Sequence, residues 1–208
     1  MRDIIGLFPS PVFKTKLQPI SLDTKDVIKK LEYVKSEDAN VNISRNQRLL
    51  DEPEFADLRK SIFQEFNFFT REVLRINKSV DFTLTNSWAV ESKPGCVGKQ
   101  HTHKNSIFSG VVYLETPHES GYIKFEELND YRLFYQTFSL PFDDFNPLNS
   151  AQWTVKPEES VALFFPSNLT HSITKNESNQ TRYSLAFNFF PQGTFGTGLY
   201  ELTLGSVK

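Results

Sequence analysis

Sulfur is nearly absent from this sequence: its 208 residues hold one cysteine, Cys96, and one methionine. A lone thiol cannot close an internal disulfide, and small secreted domains usually carry several, so a reducing compartment is expected. Long apolar runs are missing too. None approaches the roughly 18 residues needed to span a bilayer. The opening MRDIIGLFPSPVF, broken by Pro9 and Pro11, lacks the form of a signal peptide. Together these absences predict a cytosolic chain with no membrane partner. An excess of one charge is also lacking: 23 Lys and Arg stand against 25 Asp and Glu, a net charge of −2. With no basic surplus to hold a phosphate backbone, charge argues against nucleic acid and for a small molecule or a peptide side chain as partner. No feature of the sequence fixes an oligomeric state.

What is abundant is phenylalanine, with 20 residues. Phe favours strands and supplies large buried area, so a sheet-rich core is expected. At 38% hydrophobic and 23% charged, the chain is globular in composition. Its length suits one domain over 1–208, with no convincing linker.

Two helices are expected, both within about 21–77. The first covers about 22–36, with Val27, Leu31 and Val34 at helical spacing after Ser21 or Asp23 as cap. The second covers about 52–76, where Phe55, Leu58, Ile62, Phe66, Phe69, Val73 and Ile76 step by three or four. Asp51 can cap it, Glu54 follows, and Pro53 is tolerated in a first turn. Beyond Asn77 the period changes. Strands are expected at 82–90, 107–114, 122–125, 133–138, 153–155, 161–165, 172–174, 183–190 and 199–204. Turn chemistry separates them at Lys93-Pro94-Gly95, Ser120-Gly121, Lys156-Pro157, Asn176 to Asn179 and Pro191-Gln192-Gly193. Many short strands with helices to one side predict a mainly β sandwich or jelly roll over about 80–204, with both helices packed on one sheet. The aromatic and acidic stretch 127–150 reads as an insertion or mobile lid.

Histidine is scarce, and its placement carries the chemistry. The chain has His101, His103, His118 and His171. In His101-Thr102-His103, residues i and i+2 of an extended segment face the same side, so both imidazoles can reach one ion. His171 opens a strand after Phe165-Pro166-Ser167. In a jelly roll it can meet the pair, because strands distant in sequence lie side by side. His118 sits in the turn Thr116 to Gly121 and reads as a surface residue, and Cys96 has no assigned role. Taken alone, the residues leave three readings open: an iron oxygenase, a cupin-type three-histidine metalloenzyme, or a non-catalytic β-sandwich binding module.

The order of motifs resembles the 2-oxoglutarate/Fe(II)-dependent oxygenases, in particular a bacterial and phage subgroup related to prolyl hydroxylases. The resemblance lies in Leu7-Phe8-Pro9-Ser10-Pro11-Val12-Phe13, Asn86-Ser87-Trp88, His101-Thr102-His103 and Ser109 to Leu114. It continues in Phe165-Pro166-Ser167, His171-Ser172-Ile173 and Arg182 to Asn188. It implies a double-stranded β-helix that hydroxylates a substrate while converting 2-oxoglutarate and O2 to succinate and CO2, with ascorbate as a supporting reductant. For a phage protein this would take place in the host cytoplasm. It places the metal ligands at His101, His103 and His171. It puts Arg182 on the far carboxylate of 2-oxoglutarate, with Ser184 and Tyr113 as further contacts. Asn86 and Trp88 become candidates for touching substrate or co-substrate. The sequence departs from the family at one point: position 103 is His where the usual metal carboxylate stands. Glu126 or Glu127 is an alternative source of that carboxylate. Arginine suits the co-substrate because its planar fork binds a carboxylate through two parallel hydrogen bonds. The cupin reading lacks that class's glutamate between Lys104 and Phe108 and leaves Arg182 and Ser184 without a task.

Overall fold

The computed structural model describes residues 3, 9–36, 40–127 and 140–205. In chain order the elements are β1 (Phe13–Lys16), α1 (Leu22–Lys30), β2 (Tyr33–Lys35), β3 (Asn42–Ser44), α2 (Ala56–Phe68), β4 (Val80–Ser92), β5 (Gly98–His101), β6 (Phe108–Glu115), β7 (Ile123–Glu126), β8 (Gln152–Val155), β9 (Val161–Pro166), β10 (Thr170–Ile173), β11 (Arg182–Phe195) and β12 (Leu202–Leu204). An eight-stranded sheet runs β1-β9-β6-β11-β4-β3-β2, with β12 added to β11, and a four-stranded sheet runs β5-β10-β7-β8. The pairings are antiparallel. The result is a mainly β jelly roll with helices on one outer face. None of the described helices is long and apolar enough to cross a membrane.

Side-chain alternation divides the large sheet into two apolar faces. On β6 and β9, Val112, Leu114, Ala162 and Phe164 point outward to the helices, against Ile28, Leu58, Ile62, Phe66 and Phe69. Tyr113, Leu163 and Phe165 point inward, against Ile123 and Phe125 of the small sheet. Burial on both sides explains why these strands read as near-continuous apolar runs. The outer interface is largely aromatic: Phe66 stacks on Phe189 with centroids 3.8 Å apart and meets Phe82 edge-on at 5.2 Å. Gly110 is required where β6 crosses this layer, because a Cβ there would lie 2.3 Å from the Phe187 ring and 2.7 Å from the Leu163 carbonyl oxygen.

Several sequence expectations change. The first helix stops at Lys30. Leu31 is extended, and Tyr33 and Val34, expected to continue the helix, pair with β3 instead. A β-branched Val next to Tyr fits a pleated surface at least as well as a helix. The second helix begins late. Two 3-10 turns, Leu49–Asp51 and Pro53–Phe55, precede Ala56, and no side chain caps it, because the cap position falls on Phe55; Asp51, four residues earlier, pairs with Arg48 and Arg59 instead. It ends in a π turn, Phe69–Val73, which leaves Val73 exposed. Pro191-Gln192-Gly193, expected as a turn, lies inside β11. It falls between the last β6 partner, Phe189, and the first β12 partner, Gly193, where one side of the strand is open and a residue without an N–H is tolerated. β2, β3 and β5 were not expected. The turn at Pro94-Gly95 is confirmed: Cys96 N–H donates to the Lys93 carbonyl at 3.0 Å, with Gly95 at φ 80°. The expected strand 133–138, half of the 127–150 lid and residues 7–8 of the opening motif lie outside the described residues.

Candidate metal centre

The register of the small sheet sets the first two rings. His171 of β10 lies directly opposite His101 of β5 and, on its other side, opposite Phe125 of β7. Directly opposed residues of an antiparallel pair project from the same face, which brings these imidazole centroids to 4.4 Å. His103 follows two residues after His101. Its ring lies 5.3 Å from that of His101 and 5.1 Å from that of His171. Asn105, at φ 53°, turns the chain immediately afterwards, a conformation asparagine tolerates better than most residues. One ligand nitrogen from each histidine lies within 4.8 Å of the others. Three nitrogens so placed can meet one ion, at about 2.1 Å each, after a small adjustment of the side chains.

The other ring nitrogen of each histidine is committed. His101 Nδ1–H donates to the Lys99 carbonyl at 2.8 Å, and His171 Nδ1–H donates to the Leu169 carbonyl at 2.9 Å. His103 Nδ1 is 2.5 Å from Asn188 Oδ1 and 2.9 Å from Ser109 Oγ. A carbonyl oxygen can only accept, so the proton sits on Nδ1 and the Nε2 lone pair stays free in all three rings. Burial pushes the His171 pKa down to about 3, opposed by its bond to the Leu169 carbonyl and assisted by His101 and His103. Burial also lowers that of His103, opposed by its bond to Asn188 and assisted by His101. Neutral imidazole is the form a metal requires.

The three rings open onto a cavity of about 370 Å³ between the sheets, lined largely by apolar groups including Val111, Phe165 and Ile173. Asn86 and Trp88 also line it, and the Trp88 ring is 5.8 Å from that of His103. The lining reaches Val90 but not Arg182, Ser184 or Tyr113. Those three lie behind it on the same inward faces: Ser184 pairs with Val90 and Tyr113, and Arg182 with Ser92.

Arg182 is 1% exposed, with no carboxylate among its hydrogen-bond partners. Nη1 donates to the Ser120 and Gly121 carbonyls at 3.0 and 3.3 Å, and Nη2 donates to Ser92 Oγ at 2.9 Å. Nε–H has no partner, and neither do the buried hydroxyls of Tyr113 and Ser120. Burial lowers the Arg182 pKa and raises that of Tyr113 to about 12, although each is opposed by the charge of the other. A buried guanidinium without a counter-charge is costly, so this corner suits an incoming anion.

Glu126 does not join the histidines. It pairs outward with Lys124 at 3.0 Å and Gln100 at 2.9 Å, on the face opposite Phe125. Among the described residues, the cluster of metal-capable groups contains no carboxylate, so Glu127 does not join it either. His118 is exposed in its turn. Sequence reasoning missed Asn188, Ser109, Ser120 and the two backbone carbonyls. The motif Arg182 to Asn188 contained Asn188, but no spacing tied it to His103.

A family described as "Putative 2OG-Fe(II) oxygenase" matches residues 86–188, which include all three histidines and Arg182. That stretch of the chain belongs to the 2-oxoglutarate/Fe(II) oxygenase family. Solved structures agree on the fold. The carbocyclase SnoK from nogalamycin biosynthesis is 12% identical with a TM-score of 0.61, over 92% of this chain and 84% of that one. HygX from Streptomyces hygroscopicus, solved with nickel and 2-oxoglutarate bound, is 12% identical with a TM-score of 0.57, over 88% and 83%. A prolyl-4-hydroxylase from Pseudomonas putida is 13% identical with a TM-score of 0.54, over 88% and 94%. No curated protein matches the sequence. In this chain the position following His101-Thr102 holds an imidazole fixed by an amide and a hydroxyl.

Proposed function

We propose that the protein is a dioxygenase that binds Fe(II) through His101, His103 and His171 and oxidises a small molecule or a peptide side chain at the expense of 2-oxoglutarate. The observation that carries this reading is the three facing imidazoles, each with Nδ1 hydrogen-bonded and Nε2 free. Three neutral nitrogen donors fit ferrous iron and leave coordination positions for other ligands. When bound, the iron and 2-oxoglutarate supply O2 activation coupled to decarboxylation to succinate, with hydroxylation of substrate as the expected outcome.

The chain's own groups then have distinct tasks. Arg182 receives the far carboxylate of 2-oxoglutarate. Three of its five N–H donors are committed to Ser92, Ser120 and Gly121, which hold the fork in place, and Nε–H and one Nη2–H remain. The Tyr113 and Ser120 hydroxyls complete the anion pocket, with Ser184 beside them on β11. Trp88 and Asn86 border the space left for substrate, and the apolar cavity wall excludes water from it. Residues 1–208 act as one oxygenase domain, with ascorbate as an auxiliary reductant. A single thiol and a need for ferrous iron fit the cytosol.

The test is succinate formation from 2-oxoglutarate in air with Fe(II) and ascorbate, together with calorimetric binding of 2-oxoglutarate to the Mn(II)-loaded protein. Binding and succinate release are expected. Metal uptake without any 2-oxoglutarate binding would leave a three-histidine enzyme of cupin type, and no metal uptake would overturn the enzyme reading altogether.

A further inference from the structure

Position 103 is where this chain departs from its family, and its surroundings are built around that departure. Asn188 Oδ1 lies 2.5 Å from His103 Nδ1, and the amide cannot turn freely because its Nδ2 donates to Asn86 Oδ1 at 2.8 Å. Ser109 Oγ is 2.9 Å from the same imidazole nitrogen and 2.7 Å from Asn188 Oδ1, and it also meets Ser167 Oγ at 2.8 Å. The backbone of the ligand is pinned by the same group of residues: His103 N–H donates to the Ser167 carbonyl at 2.9 Å. Asn188, Ser109 and Ser167 are all nearly sealed from water. A buried network satisfied at each member fixes one arrangement, and a carboxylate at position 103 would face Asn188 Oδ1, an acceptor, instead of a donor.

We infer that Asn188, held by Asn86 and Ser109, is the positioning residue that makes His103 a neutral Nε2 metal ligand in place of the family's carboxylate. This rests on the metal-site reading above. The ligand set is then three neutral imidazoles, and negative charge at the metal comes from the co-substrate alone. His101 and His171 take their orientation from backbone carbonyls, which no substitution removes, so His103 is the only one of the three whose orientation depends on side chains.

The test uses the Co(II)-loaded protein and needs no turnover. Paramagnetic proton NMR reports each coordinated imidazole whose N–H is shielded from exchange as a solvent-exchangeable, hyperfine-shifted signal. The wild type is expected to show one such signal for each of His103 and His171, whose Nδ1–H groups are shielded from water. Asn188→Leu, which keeps bulk and removes the acceptor, should lose the His103 signal and bind Co(II) about 10- to 100-fold more weakly. Asn188→Asp, which keeps the acceptor, should retain the signal and most of the affinity. Circular dichroism of the apo proteins checks the fold; if Asn188→Leu does not fold, Asn188→Val carries the same comparison. An unchanged spectrum and affinity in the variant lacking the acceptor would overturn this inference and leave the metal site standing. A wild type that binds no Co(II) would overturn the metal site itself.

Discussion

The two sheets differ in what covers them. The strands at the centre of the large sheet are buried on both faces, with helices outside and the cavity wall inside. The small sheet is built from four-residue strands, and its outer surface carries Lys124, Glu126 and the exposed Thr154. The stable scaffold and the reactive groups are therefore largely separated. The large sheet supplies the aromatic core, whereas His101 and His171 stand on the thin sheet. His103 links them, because its ring reaches toward the thin sheet's histidines while its Nδ1 is tied to β11 and β6 of the thick one. Metal binding should consequently brace the two sheets against each other.

The largest expected effect tests the thin sheet. His171→Ala should abolish Fe(II) uptake, measured by metal analysis, while the apo protein keeps its circular dichroism. Retained stoichiometric iron would break the division of labour between sheets. Phe66→Ala tests the thick one. It removes a fully buried ring stacked on Phe189 and should cost about 3–5 kcal/mol in denaturant unfolding, with metal affinity little changed at temperatures where the protein stays folded. Arg182→Ala sits between the two, on the thick sheet but facing the cavity side. It should weaken 2-oxoglutarate binding to the Mn(II) protein by about 1.5–3 kcal/mol, read by calorimetry.

Acidification sharpens the comparison from the other side. The folded-state pKa of His171 is about 3 against 6.5 for a free imidazole, so the unfolded chain binds the extra proton across that window. Stability of the apo protein is then complete above pH 6.5 and falls as pH drops toward 3, by up to about 1.4 kcal/mol per unit from this residue. Chemical denaturation at stepped pH measures it, and a flat profile would mean the ring is not buried neutral. The smallest effect belongs to Thr154→Ala on the open face, expected within about 0.5 kcal/mol of wild type in the same unfolding assay.

Much of this architecture was legible because strong local patterns survive into the fold. The alternation of β4 and β11, the helical spacing from Phe55 to Phe69 and the Pro94-Gly95 turn all appear as read. The short polar strands did not carry such a signal. Gly98-Lys99-Gln100-His101 has no apolar alternation, and it is a strand only because β10 lies beside it. Tyr33 and Val34 fit either a helix or a strand, and β3 decided between them. Asp51 reads as a helix cap, but two 3-10 turns move the cap position to Phe55, and Asp51 pairs with Arg48 and Arg59.

The sequence by itself determined which chemistry is available: three imidazoles in a pair-plus-one pattern, one arginine on a strand after them, and enough alternating apolar residues to enclose both. Only the tertiary structure decided that the rings meet, that Glu126 turns away, and that Asn188 and Ser109 hold the third ring. The physical reason is distance along the chain. A hydrogen bond between residues 85 positions apart depends on which strands become neighbours and in what register, and neither is written in any local window.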